Sequence, residues 1–232
     1  MGRKRVFPWR WRLAAMVLLV LAGGGIWLWW QAQHWTPSRN DFPTQGVLVG
    51  AGDGPVDFAS LAAVGANFAY IEASRGAEAR DAMLSANLRS LMAGALPFGV
   101  VHHYDPCVPA ERQAANFVTV VPRDGRMLPP AIALDKPARS CDDPAVEAGV
   151  ESELTTFLNQ VEAHTGQRAV LMLSEGFQQA HPIASQIERN LWLERAFLPP
   201  DYAGRPFTLW TANPRLWTEA SAGPLRWVVV QP

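Results

Sequence analysis

The chain has 232 residues, 20 basic and 21 acidic, and 49% of it is hydrophobic. That composition supports one packed domain and excludes a disordered chain. Five basic residues (Arg3, Lys4, Arg5, Arg10 and Arg12) fall within the first twelve, all before the first acid, Asp41, leaving 15 basic against 21 acidic residues elsewhere. A remainder with that balance excludes nucleic acid as a partner.

Residues 1–12 form a basic segment, expected on the cytoplasmic side. An apolar run without charge follows at 13–30. Eighteen helical residues span about 27 Å, close to the hydrocarbon thickness of a bilayer. The run is therefore expected to be a transmembrane anchor, with Trp27, Trp29 and Trp30 in the outer interfacial belt. This places the chain in an inner membrane as a single-pass protein, its C-terminal domain facing the periplasm. A signal peptide is the alternative, since Ala22-Gly23-Gly24 is small enough for cleavage.

Residues 31–44 are polar with two prolines and read as a linker. The domain then runs over 45–232. Strands are expected at 46–49, 67–73, 96–102, 131–135, 169–173, 207–211 and 227–230. Helical spacing lies between them. Residues 58–64 end at Gly65; Leu84, Leu88, Leu91 and Met92 lead to Gly94. Ala114, Phe117, Val118 and Val121 form a third stripe; Leu154, Phe157, Leu158 and Val161 form a fourth, closed by Gly166. Strand and helix alternating at this pitch predict an α/β fold, a (β/α) barrel or open parallel sheet. In such folds, ligands meet the loops after the strand C-termini.

Cys107 and Cys141 follow two consecutive expected strands, on the same loop face. One disulfide is the expected state, in an oxidising compartment; two buried thiols are the alternative. His102, His103, Asp105 and Cys107 cluster in sequence, but adjacent strand residues point to opposite faces. No metal is expected. No phosphate loop or dinucleotide-binding glycine pattern is present, so no cofactor is expected.

Several blocks in order resemble glycoside hydrolase family 25, the lysozymes (N-acetylmuramidases) that cut peptidoglycan. Gly46-Val47 with Gly54-Pro55-Val56-Asp57-Phe58 is similar to the family's opening Gly-Val-Asp-Val-Ser…Gly-x-Ile-Asp-Trp. The segment from Phe68 through Tyr70, Glu72 and Arg75 to Gly76 resembles Phe-Ala-Tyr-Ile-Lys-Ala-Thr-Glu-Gly. Gly99-Val100-Val101-His102-His103 resembles Gly-Ala-Tyr-His-Phe. Leu128-Pro129-Pro130 through Asp135 resembles the strand leading to Asp-x-Glu. Phe207 to Trp210 resembles the entry to Trp-Gln-Tyr-Ser, and Gly223-Pro224-Leu225 the closing Gly-Pro-Val-Asp-Leu-Asn. The resemblance implies an irregular TIM-like (β/α) barrel and a peptidoglycan, or another envelope glycan, as ligand.

The same comparison implies that most of the chemistry has gone. The acid of the opening strand falls on Leu48, the proton-donating Glu of Asp-x-Glu on Pro137, and the acid of the closing strand on Arg226. Asp135 keeps its carboxylate and, with Glu72, is the catalytic candidate; Arg226 across the mouth would lower Asp135's pKa. Glu72 and Arg75 stand where the family has Lys and Glu, as an exchanged ion pair. His102, Tyr70 and Trp210 are the candidate substrate contacts. Glycoside hydrolysis needs a protonated acid and a second carboxyl group, and Pro137 has no proton to give. Two readings stay open: a non-cutting pseudoenzyme that binds glycan or an envelope protein partner, and an active, divergent muramidase.

Overall fold

The structure, a computed structural model, describes residues 9–232. Arg3, Lys4 and Arg5 lie outside the described residues. The chain divides after Trp35 into two compact units. The first holds helix α1 (Trp9–Gln33), 25 residues with no acid and with Arg10 and Arg12 in its first turn. It is long and apolar enough to cross a membrane. Gly23-Gly24-Gly25 do not interrupt it, as expected for glycine in a helix of this apolar character.

The second unit is a barrel. Its strands are β1 (Gln45–Val49), β2 (Phe68–Arg75), β3 (Ala79–Arg80), β4 (Phe98–His103), β5 (Ala131–Leu134), β6 (Val170–Leu173), β7 (Asn190–Glu194), β8 (Leu209–Leu216) and β9 (Leu225–Val230). Their order is β1-β9-β8-β7-β6-β5-β4-β2-β3, and β1 also pairs with β2. That last pairing closes eight strands on themselves and leaves β3 as a short flap on β2. Within the closed barrel pairing is parallel except along β9, which runs antiparallel to both β1 and β8; the flap β3 is antiparallel to β2. This is the irregular (β/α) barrel that the alternation and the resemblance implied. The strand β7 is an addition to the sequence reading.

The helices are α2 (Phe58–Ala63), α3 (Leu84–Ala93), α4 (Ala110–Val120), α5 (Ala145–Thr165), α6 (Glu175–Ala180) and α7 (Ile183–Gln186). Local chemistry sets their ends. The Asp57 carboxylate accepts from the backbone N–H groups of Ala59 and Ser60 and so caps α2. Gly166 closes α5 at φ 73°, a left-handed position that suits glycine. On α5, Val150, Leu154, Phe157, Leu158 and Val161 form the buried stripe.

The barrel interior is filled by alternate strand residues, among them Leu48, Tyr70, Val101, Ala133, Met172, Trp192 and Val228. The side-chain period of two fixes what comes next along each strand. Two residues beyond Tyr70 is Glu72; beyond Val101, His103; beyond Ala133, Asp135; beyond Trp192, Glu194. Two residues before Val228, on the reversed strand, is Arg226. All five therefore converge on the end of the barrel where the parallel strands finish. Cys107 and Cys141 are joined by a disulfide that ties the loops after β4 and β5 at that end.

Candidate functional site

The mouth is a ring of opposed charges. Arg226 Nη2 lies 2.7 Å from Glu72 Oε1 and 3.6 Å from Asp53 Oδ2. Glu72 sits so close over the end of β1 that a Cβ on Gly50 would meet its carboxyl carbon at 2.7 Å. His103 stands between two acids: its Nδ1 is 3.1 Å from Asp135 Oδ2 and its Nε2 is 3.5 Å from Glu72 Oε1. The second contact is ionic only, because Nε2 is buried without a hydrogen-bond partner. Arg75 Nη1 adds a looser contact to Asp135 at 3.7 Å.

A bulge explains why Arg75 is there. The register between β2 and β4 shifts between Glu72 and Ser74, so that Ser74 pairs with His102 and Arg75 with His103. The extra residue re-aims the chain. Ser74 turns outward with His102, and Arg75 comes level with the mouth residues.

The electrostatics divide the acids into two kinds. Burial opposes ionisation of Glu72, but His103 and Arg226 outweigh it and bring the carboxyl down to about 2. Burial likewise opposes ionisation of Asp135, and the His103 hydrogen bond and charge with Arg75 carry it below the usual range. His103 is raised despite its burial, because Asp135 and Glu72 stabilise its charged form. Glu194 is the exception. Burial pushes its carboxyl up, and the charge of Asp135 adds to that while Arg226 opposes it. Its backbone N–H is fixed by the Tyr202 hydroxyl at 2.8 Å. Its carboxylate makes no ion pair or hydrogen bond among the described residues.

The positions that the resemblance assigns to lost acids fall around this ring. Leu48 is fully buried inside the barrel and pairs in register with Arg226. Pro137 opens a short 3₁₀ turn, Ala138–Ser140, after β5. Two expected pairings are corrected. Arg226 faces Glu72 rather than Asp135, because β9 lies beside β1, next to β2, while β5, which carries Asp135 at its end, lies on the opposite side of the closed sheet. Arg75 leans toward Asp135 rather than Glu72, because the bulge carries it past the carboxylate.

The three substrate-contact candidates are all buried and lie away from the ring of charges at the mouth. His102 is 0% exposed and faces the helices, hydrogen-bonded to Ser74 Oγ at 2.8 Å and packed on Phe157. Burial drops its pKa to about 3. Tyr70 is 3% exposed, deep in the barrel, and donates to the Pro129 carbonyl at the opposite end. Trp210 is 1% exposed on the outer face, its indole N–H donating to the Arg195 carbonyl. The exposed aromatics of the mouth end are Phe197, on the loop after β7, and Trp217, on the loop after β8. Phe197 has φ 68°, a conformation rare outside glycine. Among the described residues no group of three or more His, Cys, Asp or Glu is arranged to hold a metal.

Sequence reasoning missed Glu194 because its strand carries only three consecutive apolar residues, Leu191-Trp192-Leu193. The regular strand pitch left a gap there that would have found it.

Solved structures share this architecture. A family 25 glycosyl hydrolase from Bacillus anthracis is 23% identical, with a TM-score of 0.77 over 86% of this chain and 93% of its own. A lysozyme from Streptomyces coelicolor is 19% identical, with a TM-score of 0.72 over 82% of this chain and 92% of its own. A muramidase from Acremonium alcalophilum is 17% identical, with a TM-score of 0.65 over 82% and 94%. At these identities the likeness is one of fold. No curated protein matches the chain. The sequence model of the glycosyl hydrolases family 25 matches residues 49–213, well over half of the chain, and the protein belongs to that family.

Proposed function

We propose that this is a membrane-tethered family 25 domain that binds peptidoglycan glycan at the barrel mouth without cutting it. One observation carries the reading: the Arg226–Glu72 ion pair at 2.7 Å. A cation holds the place where the resemblance expects an acid, and it spends the neighbouring carboxylate on itself. Asp135 is spent in the same way on His103 and Arg75. Both acids are held ionised, and an ionised carboxylate cannot protonate a leaving oxygen. Phe197 and Trp217 offer exposed aromatic faces at the same end, suited to stacking on sugar rings.

The N-terminal helix fits a single-pass anchor in the inner membrane. Arg10 and Arg12 at its start favour a cytoplasmic N-terminus, and Trp27, Trp29 and Trp30 an outer interfacial belt. The barrel would then lie in the periplasm, an oxidising space consistent with the disulfide. Helix α1 reaches Gln33 and the barrel unit begins at Thr36, which leaves only the short stretch between them as the linker. An envelope protein partner at the mouth is the variant of this reading in which the ring of charges meets a polypeptide.

A specific observation favours a second reading, a divergent muramidase. Glu194 is raised while Asp135 is lowered at the same mouth, and two carboxyls pushed apart in this way are the mark of an acid with its ionised partner. Release of muropeptides from purified sacculi by the full chain in detergent tests the two. The first reading predicts co-sedimentation without release. Release that Glu194→Gln abolishes would establish the second.

A further inference from the structure

Beside the mouth, between β2, the flap β3 and the end of β4, lies an open cavity of about 160 Å³ lined by Glu72, Ser74, Arg75, Ala79, Arg80, Asp81 and His103. We infer that it is a carboxylate-binding subsite, in which Arg75, Arg80 and His103 Nε2 hold a carboxylate carried by the bound strand. The inference rests on the glycan-binding reading and names the group that the site selects.

The cavity's acceptors are spent. Asp81 Oδ2 accepts from Ala51 N at 2.7 Å and Oδ1 from Met83 N at 2.8 Å. Glu72 is held by Arg226 at 2.7 Å. Ser74 Oγ is engaged with His102. The donors are only partly engaged. His103 Nε2 is buried with no hydrogen-bond partner, its ionic contact to Glu72 being a loose 3.5 Å, in a side chain only 9% exposed. A buried donor in that state costs free energy that a ligand acceptor recovers. Arg80 uses only Nε, toward the amide oxygen of Asn116 at 3.4 Å, and its two terminal nitrogens make no hydrogen bond or ion pair among the described residues. Arg75 has one ionic contact, at 3.7 Å. Two guanidinium forks and a ring nitrogen around one cavity present donors and lack acceptors. A planar anion with two acceptor oxygens completes them. A neutral sugar hydroxyl would satisfy one donor and leave the rest.

In a peptidoglycan strand that chemistry has two sources: the lactyl carboxylate of muramic acid where the peptide has been removed, and the carboxylates of the stem peptide where it has not. The test uses the full chain in detergent micelles, labelled with ¹⁵N-histidine, with His103 assigned through His103→Gln. N-acetylmuramic acid is titrated against N-acetylglucosamine, which lacks the carboxylate. The expected result is a shift of His103 Nε2 with the first sugar alone. In the Arg75→Gln/Arg80→Gln variant the affinity should fall at least about tenfold, the size of one lost charge-assisted hydrogen bond. Equal response to both sugars, or response to neither, overturns the subsite. Peptide-free glycan binding more tightly than muropeptides assigns the lactyl source, and the reverse order assigns the stem peptide. A His103 response to N-acetylmuramic acid in a protein that ignores whole sacculi would sink the proposed function and leave the subsite standing. Sacculus binding with no carboxylate dependence would do the opposite.

Discussion

Arg226 and Glu72 meet across the seam where β9 returns beside β1, 2.7 Å apart and each about one quarter exposed. The pair joins the last strand of the barrel to the second. Removing one partner of a partly buried pair leaves the other charge desolvated. Arg226→Met should therefore destabilise the domain by about 1–3 kcal/mol. Urea unfolding monitored by tryptophan fluorescence measures this. The double variant Arg226→Met/Glu72→Gln should recover part of the loss, and full additivity of the two changes would deny the coupling.

Acid should loosen the same end of the barrel. Glu72 is lowered to about 2 in the folded protein from an ordinary 4.5. A depressed carboxyl contributes stability that is present above its unfolded value and is lost as pH falls through the folded one. The window is therefore about pH 4.5 down to 2, and the contribution at stake is about 3 kcal/mol. Glu72→Gln should flatten the decline of stability across that window. A decline of unchanged steepness in the variant would mean that other acids govern it; Asp135, also lowered, is the first to examine by Asp135→Asn.

The disulfide closes a long loop, its cysteines lying 34 positions apart in sequence. In the chain-entropy account such a link is worth about 4 kcal/mol against unfolding. Cys107→Ser/Cys141→Ser should lower the urea midpoint accordingly. Glycan affinity of the folded variant should fall less than that of Arg75→Gln/Arg80→Gln, because neither cysteine lines the carboxylate cavity.

Trp217 is 40% exposed on the loop after β8. If its face stacks on sugar, Trp217→Ala should weaken sedimentation with sacculi by roughly tenfold at little cost in stability, in line with the worth of aromatic stacking contacts. Trp210→Ala should instead cost stability, about 3–5 kcal/mol for a buried large aromatic. The two variants separate a binding aromatic from a packing one.

Much of the barrel was legible because buried parallel strands read as apolar runs between amphipathic helices. Phe68-Ala69-Tyr70-Ile71 and Ala131-Ile132-Ala133-Leu134 are of that kind. The strand ending in Glu194 was not legible, because three apolar residues between polar segments carry no period. The site was legible in part. Alternation says that His102 and His103 face opposite ways, but not which of them faces in. The resemblance favoured His102, and the barrel placed His103 inside. Nor does a sequence announce a bulge: the register shift after Glu72 turned Arg75 toward Asp135 and freed Glu72 for Arg226. Those choices are set by which strands become neighbours on closure, and that is a property of the whole sheet.

Whether the mouth binds without cutting is read most directly from the rate at which full-length protein in detergent releases muropeptides from purified sacculi, followed by reducing-end formation. The account predicts no release above buffer from protein that co-sediments with the sacculi. Sustained release that disappears in Asp135→Asn or Glu194→Gln, with folding intact, would contradict it.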